Sequence, residues 1–154
     1  MSQLMLTDQD LAKNALLFNK EELQIIRFVI LSNRIFEIDL LLDIIHYLPD
    51  LVGAFIKKGS LIVNLSLKVV QCQKQVISLE LHSVDFDKKN VNLLIRPLIN
   101  RSILLKILKR IKLPEALNYD DNRHRFTYTQ DKVNLLRLDT KEGEMTIDFQ
   151  LQAI

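Results

Sequence analysis

Side chains able to do chemistry are few in this sequence, and they are scattered. Asp85 and Asp87 flank Phe86, so both carboxylates share one side of an extended segment, where they could serve as acid and base. The Lys-Lys-Asn that follows makes them equally ordinary turn residues. Asp120, Asp121 and His124 are the one place where metal-ligand types crowd together. Their spacing fits neither a calcium-binding loop nor a helical histidine pair, and a polar loop accounts for them better. Cys72 is the sole cysteine, which excludes an intrachain disulfide and a cysteine-based zinc site. Within QCQKQ its one cationic neighbour is Lys74, so it reads as an incidental thiol in a turn rather than a nucleophile. His46 and His82 fall on other elements, with His82 on the polar parity of its strand. No catalytic residue, metal ligand or cofactor is assigned, and the chain is expected not to be an enzyme.

Arg123, Arg125, Phe126 and Tyr128 interleave charge with rings, as a nucleic-acid platform does. An RNA-reading strand would also need glycines and exposed aromatics at set positions, and NRHRFTYTQ supplies no glycine. A net charge of +2 does not imply a phosphate-binding surface, so nucleic acid is not an expected partner.

The strongest local feature is the helical pattern over 98–112. Ile103, Leu104, Ile107, Leu108 and Ile111 fall in one arc, while Arg101, Lys106, Lys109, Arg110 and Lys112 occupy the other. Such a helix can cover a sheet and turn its cations to water. It can also present them to anionic lipid headgroups, or lie in a membrane interface outright.

The elements that must position these residues follow from composition and periodicity. The chain has 154 residues, 48% apolar and 26% charged, which suits one globular domain with a sizeable core. Only 3 glycines and 3 prolines are present, too few for a glycine-rich phosphate loop or a flexible linker. The opening MSQLMLTDQD lacks the basic and apolar regions of a secretory signal. The greasiest run is broken by Asp39, Asp43, His46, Pro49 and Asp50, so no transmembrane helix is expected. As written, the protein is expected to be soluble and cytoplasmic, or envelope-associated if a leader has been removed.

Thr7, followed by Asp8 and Asp10, predicts the capped start of a helix over 8–18. Alternation over 23–31 and 34–42, with Ser32-Asn33 between, predicts a hairpin. A short helical piece follows Pro49 and ends at Gly59. The clearest period-2 signal runs over 61–70 and 77–82, a second hairpin with one wet face. Further strands are expected at 91–95, 125–129, 133–138 and 145–151, the last preceded by a turn at Gly143. The fold class is α+β, a single domain with two or three short helices on a mostly antiparallel sheet.

Taken in order, LTDQDLAKNAL, the paired LIVNLSLKVV and VISLELHSVDFD, the helix ending in KLPEAL, then RFTYTQDKVNLLRLD and GEMTIDFQLQ form a layout. It resembles small bacterial domains related to the tubular lipid-binding (TULIP) superfamily, over nearly the whole chain. The resemblance implies a strongly curved antiparallel sheet wrapped on a helix, an apolar groove between them, and binding of a lipid or fatty acid without a reaction. The groove would be lined by Val63, Leu65, Leu67, Leu79, Leu81, Leu104 and Leu108. Lys106, Lys109 and Arg110 would lie near an anionic headgroup or membrane surface. The alternative is an interaction or assembly module, homo-oligomeric or not, whose same apolar residues are simply core.

Overall fold

A computed structural model describes residues 2–15, 19–43, 60–87, 100–111, 113 and 115–151. The elements are β1 (Ser2–Thr7), α1 (Asp8–Ala15), β2 (Leu23–Ile30), β3 (Ile35–Asp43), β4 (Ser60–Gln73), β5 (Val76–Asp87), α2 (Arg101–Arg110), β6 (Leu117–Asp120), β7 (Arg125–Thr129), β8 (Val133–Lys141) and β9 (Glu144–Leu151). Six strands form one open sheet in the order β2-β3-β4-β5-β7-β6, and three form another in the order β1-β9-β8. Every strand pair among the described residues is antiparallel.

The single sheet expected from the sequence is therefore two. The reason lies in the length of the central strands. At about 3.3 Å per residue, the 14 residues of β4 run for about 45 Å, three times the reach of the 10-residue α2. One short helix leaves most of that apolar face uncovered, so a second cover is required. The three-stranded sheet, with α1, supplies it.

Each long strand accordingly feeds two cores in succession. In the first, Leu40 and Leu42 of β3, Leu61, Val63, Leu65 and Leu67 of β4 and Leu81 of β5 meet Ile103, Leu104 and Ile107 of α2. In the second, Ile30, Phe36 and Val69 meet Leu138 and Met145 of the smaller sheet, with Leu6 and Leu11 at the margin. Leu79 touches both and marks the boundary. Register explains why these residues gather: Leu42 faces Leu61, Leu40 faces Val63 and Ile38 faces Leu65 across the β3–β4 ladder. The opposite face carries charged and polar side chains beside exposed Ile62. There Arg27 lies 3.7 Å from Glu37 and 3.5 Å from Asp39, and Asn64 donates to Asp39 at 2.7 Å.

The two sheets are stitched by backbone groups at hairpin tips. Asn33 and Arg34 both adopt left-handed backbone in the β2–β3 turn, which aims the Arg34 N–H at Thr140 Oγ1 of β8 (2.6 Å). Lys74, also left-handed, turns its carbonyl to the Leu135 N–H at 2.5 Å. At the start of α1 the Asp8 N–H donates to the Gly143 carbonyl, and the Gly143 N–H donates to the carbonyl of Ile30. The Asp8 carboxylate closes the triangle by accepting from the Ile30 N–H at 2.6 Å. Gly143 sits in the β8–β9 turn at φ +81, a backbone that favours glycine.

The expected N-cap is in place. Thr7 Oγ1 accepts from the Asp10 N–H, while Asp10 Oδ2 accepts from the Thr7 N–H and hydroxyl. This reciprocal capping box holds the Asp10 carboxyl below its usual range. The expected helical piece after Pro49, the strand at 91–95, Pro97, Pro114 and His46 lie outside the described residues, as do the ends of both expected helices beyond Ala15 and Ile111.

Candidate functional site

The residues nominated as a pocket come together on the face beneath α2. Val63, Leu65, Leu67, Leu81 and Leu104 belong to one buried cluster, and Leu79 packs against its margin. Leu104 and Val63 are 0% exposed, so the contact between helix and sheet is side chain on side chain. Leu108 and Lys109 lie on α2, but their side chains fall outside the described residues.

α2 forms where the sequence supplies a cap and a stripe. Asn100 is the N-cap, its side-chain oxygen accepting from the Ser102 N–H at 3.0 Å. The i, i+1, i+4 set Ile103, Leu104 and Ile107 then faces the sheet. Lys106 and Arg110 are exposed, Arg101 too, and α2 contains no acidic residue. Among the described side chains of α2, the exposed charges are thus all cationic.

Cluster members not singled out from the sequence are Leu40, Leu42 and Leu61, together with a half-buried rim that includes Val84, Phe86, Tyr119 and Phe126. Leu40 and Leu42 carried a signal, the alternation of β3, but their register against β4 is not readable from either strand alone. The Phe126 ring packs on Tyr119 at 4.8 Å between centroids, turned into the core rather than outward to stack a base. Arg125, on the other face, pairs with Glu80 at 3.4 Å.

The remaining candidates are dispersed. Asp85 and Asp87 lie on β5, opposite Asn64 and Ile62 of β4. Asp120 ends β6, where its Oδ1 accepts from the Asn122 N–H in an Asx turn. His124 closes that turn in left-handed backbone. Its Nδ1 is 3.5 Å from the Tyr119 hydroxyl. Burial, reinforced by Asp121 and Asp120 and opposed by Arg101, holds that phenol above its ordinary range. Among the described residues no three of His, Cys, Asp or Glu are grouped to hold a metal ion. His82 is exposed on β5.

Cys72 corrects an expectation: it lies within β4, paired with Ile77, and the turn begins at Lys74. Half-buried against the second core, its thiol is pushed up by desolvation, with Arg34 pulling the other way. Iodoacetamide at mildly alkaline pH should therefore alkylate Cys72 several-fold more slowly in the native protein than in denaturant. Equal rates, read by intact mass, would contradict this placement.

No helix among the described residues is long and apolar enough to cross a membrane. Comparison with protein families, curated proteins and solved structures returned no match to this chain.

Proposed function

We propose that the chain is a non-enzymatic binding domain for a lipid or another apolar molecule, held beside α2 on the apolar face of the six-stranded sheet. The observation that carries this reading is a mismatch of widths. Six strands span about 24 Å, whereas a helix with its side chains is about 10–12 Å across. Half-buried Leu23 and Ile25 of β2 flank the buried cluster on one side, and Phe86, Tyr119 and Phe126 on the other. Among the described residues, apolar surface thus extends beyond the helix in both directions, the geometry of a groove that an acyl chain can occupy.

Bulges favour the same reading. The register shifts at His82 on β5, opposite Ser66/Leu67, at Val69/Gln71 on β4 and at Ile25/Arg27 on β2. Each such bulge bends its strand, which supports a sheet curved around the helix, as in the tubular lipid-binding domains. Lys106 and Arg110 on the outer arc of α2, joined by Lys109, would attract an anionic headgroup, in a single lipid or at a membrane surface. Each such charge contributes about 1 kcal/mol near an anionic surface.

Native mass spectrometry of freshly purified protein tests the proposal. A bound species of lipid mass, extractable into organic solvent and replaceable by added fatty acid, is expected. Bare protein alone, with no binding of a fluorescent fatty acid, would overturn the reading.

A further inference from the structure

Among the described residues, the edge strands are guarded, with one exception. In the six-stranded sheet, β2 carries a bulge at Ile25/Arg27 and an ion-paired Arg27, and its last residue is held by Asp8 and Gly143. β6, at the other edge, is only four residues long and ends in Asp120. In the three-stranded sheet, β8 is bulged at Leu135/Arg137 and meets the tips of two hairpins. β1 has none of these devices. SQLMLT contains no charge and no proline, and its register with β9 is unbroken from Ser2↔Phe149 to Thr7↔Glu144. Among the described residues no strand pairs with its outer edge, and Leu4 and Met5 are 44% and 57% exposed.

Backbone alternation fixes what that edge offers. The Asp8 N–H points to Gly143, on the β9 side, while the Thr7 N–H turns the other way to Asp10. Leu6 and Leu4 therefore bond to β9, and the N–H and C=O of Met5 and Gln3 face outward. We propose that this edge pairs antiparallel with the same edge of a second copy of this chain, about a twofold axis at Leu4. Gln3 then exchanges both backbone hydrogen bonds with the partner subunit's Met5, and Met5 with Gln3 of the partner subunit, giving four in all. Leu4 stacks on the partner's Leu4, and Ser2 lies opposite the partner's Leu6. A second copy is the fitting occupant because the strand is its own complement. Its two outward-facing residues pair with each other under the twofold, its exposed leucine meets a leucine, and no ionised side chain from Ser2 to Thr7 opposes its like. The result is one six-stranded sheet running through both copies, a contact made on the three-stranded sheet, whose core is separate from the one α2 covers, and independent of any ligand there.

Disulfide trapping tests the register. In a non-hydrogen-bonded pair the Cα atoms are about 4.5 Å apart, within disulfide reach. In a Cys72→Ser background, Leu4→Cys should cross-link to a covalent dimer under mild oxidation. Gln3→Cys, whose neighbour across the axis is Met5, should give several-fold less. Sedimentation of the unmodified chain should approach twice 18.0 kDa with rising concentration. Met5→Pro, which removes an outward N–H and leaves the β9 ladder alone, and Leu4→Lys, which sets like charges face to face, should each return it to 18.0 kDa with the circular dichroism spectrum unchanged. A native chain that stays at 18.0 kDa at every concentration, or a dimer that survives both folded variants, would overturn the proposal. Equal cross-linking at Leu4→Cys and Gln3→Cys would overturn the register.

Discussion

Truncation of Leu104 to alanine is expected to lower the free energy of unfolding by about 2–5 kcal/mol. Leu104 is 0% exposed and sits where α2 meets β3, β4 and β5, among Leu40, Val63 and Leu81. Removing its isopropyl group withdraws apolar surface from the cluster and leaves a cavity that a rigid sheet refills poorly. The urea midpoint should fall while the slope of the transition stays the same, the signature of lost packing rather than a changed unfolded state. Lys106→Ala, at an exposed position on the opposite arc, should change stability by no more than about 0.5 kcal/mol. A Leu104→Ala effect as small as that of Lys106→Ala would mean that α2 is not the cover of this face.

Asp8→Ala is expected to cost about 1–3 kcal/mol through the seam between the sheets. Its carboxylate accepts the backbone N–H of Ile30, a residue that is 0% exposed, at 2.6 Å. Without that acceptor a buried N–H is left unsatisfied, and such a group loses its hydration with nothing in return. The backbone N–H of the same residue anchors the start of α1 to the Gly143 carbonyl in the β8–β9 turn, a bond that the substitution leaves in place. Asp8→Asn keeps a side-chain oxygen at that position and should recover most of the loss. Hydrogen exchange offers the local reading, with Ile30 and Gly143 losing protection first in Asp8→Ala. A loss of the same size in Asp8→Asn would point to charge, not to the satisfied N–H, as the source of the stabilisation.

Much of this architecture is legible in single elements. The β4–β5 hairpin, the β2–β3 hairpin with Asn33 in its turn, the Thr7 cap, the Gly143 turn and the apolar stripe of α2 all carry local signals of spacing and residue type. Two strands do not. β1 pairs with β9 across almost the whole chain, Ser2 opposite Phe149, and a hexapeptide with two exposed apolar residues shows no sign of so distant a partner. β6 has four residues, too few for alternation to show. The separation into two sheets was equally hidden. Period-2 patterns in β7, β8 and β9 say that each is a strand, but not that β7 joins β5 while β8 joins β9. Val63, Leu65, Leu67, Leu79 and Leu81 were readable as one face because they share the inward parity of β4 and β5. Their neighbours on β3 and the rim on β6 and β7 depend on register, which one strand does not encode.

The most direct test of the proposed ligand site uses the absence of tryptophan from the sequence, which makes any introduced indole the sole reporter. Leu105, half-buried beside the cluster on α2, is replaced by tryptophan, and in a separate variant so is Leu136, 47% exposed at the β8 bulge. Titration with a brominated fatty acid should quench the Leu105→Trp emission saturably and leave that of Leu136→Trp near the level of quencher in solution. Equal, unsaturable quenching of both would contradict an apolar ligand seated between α2 and the sheet.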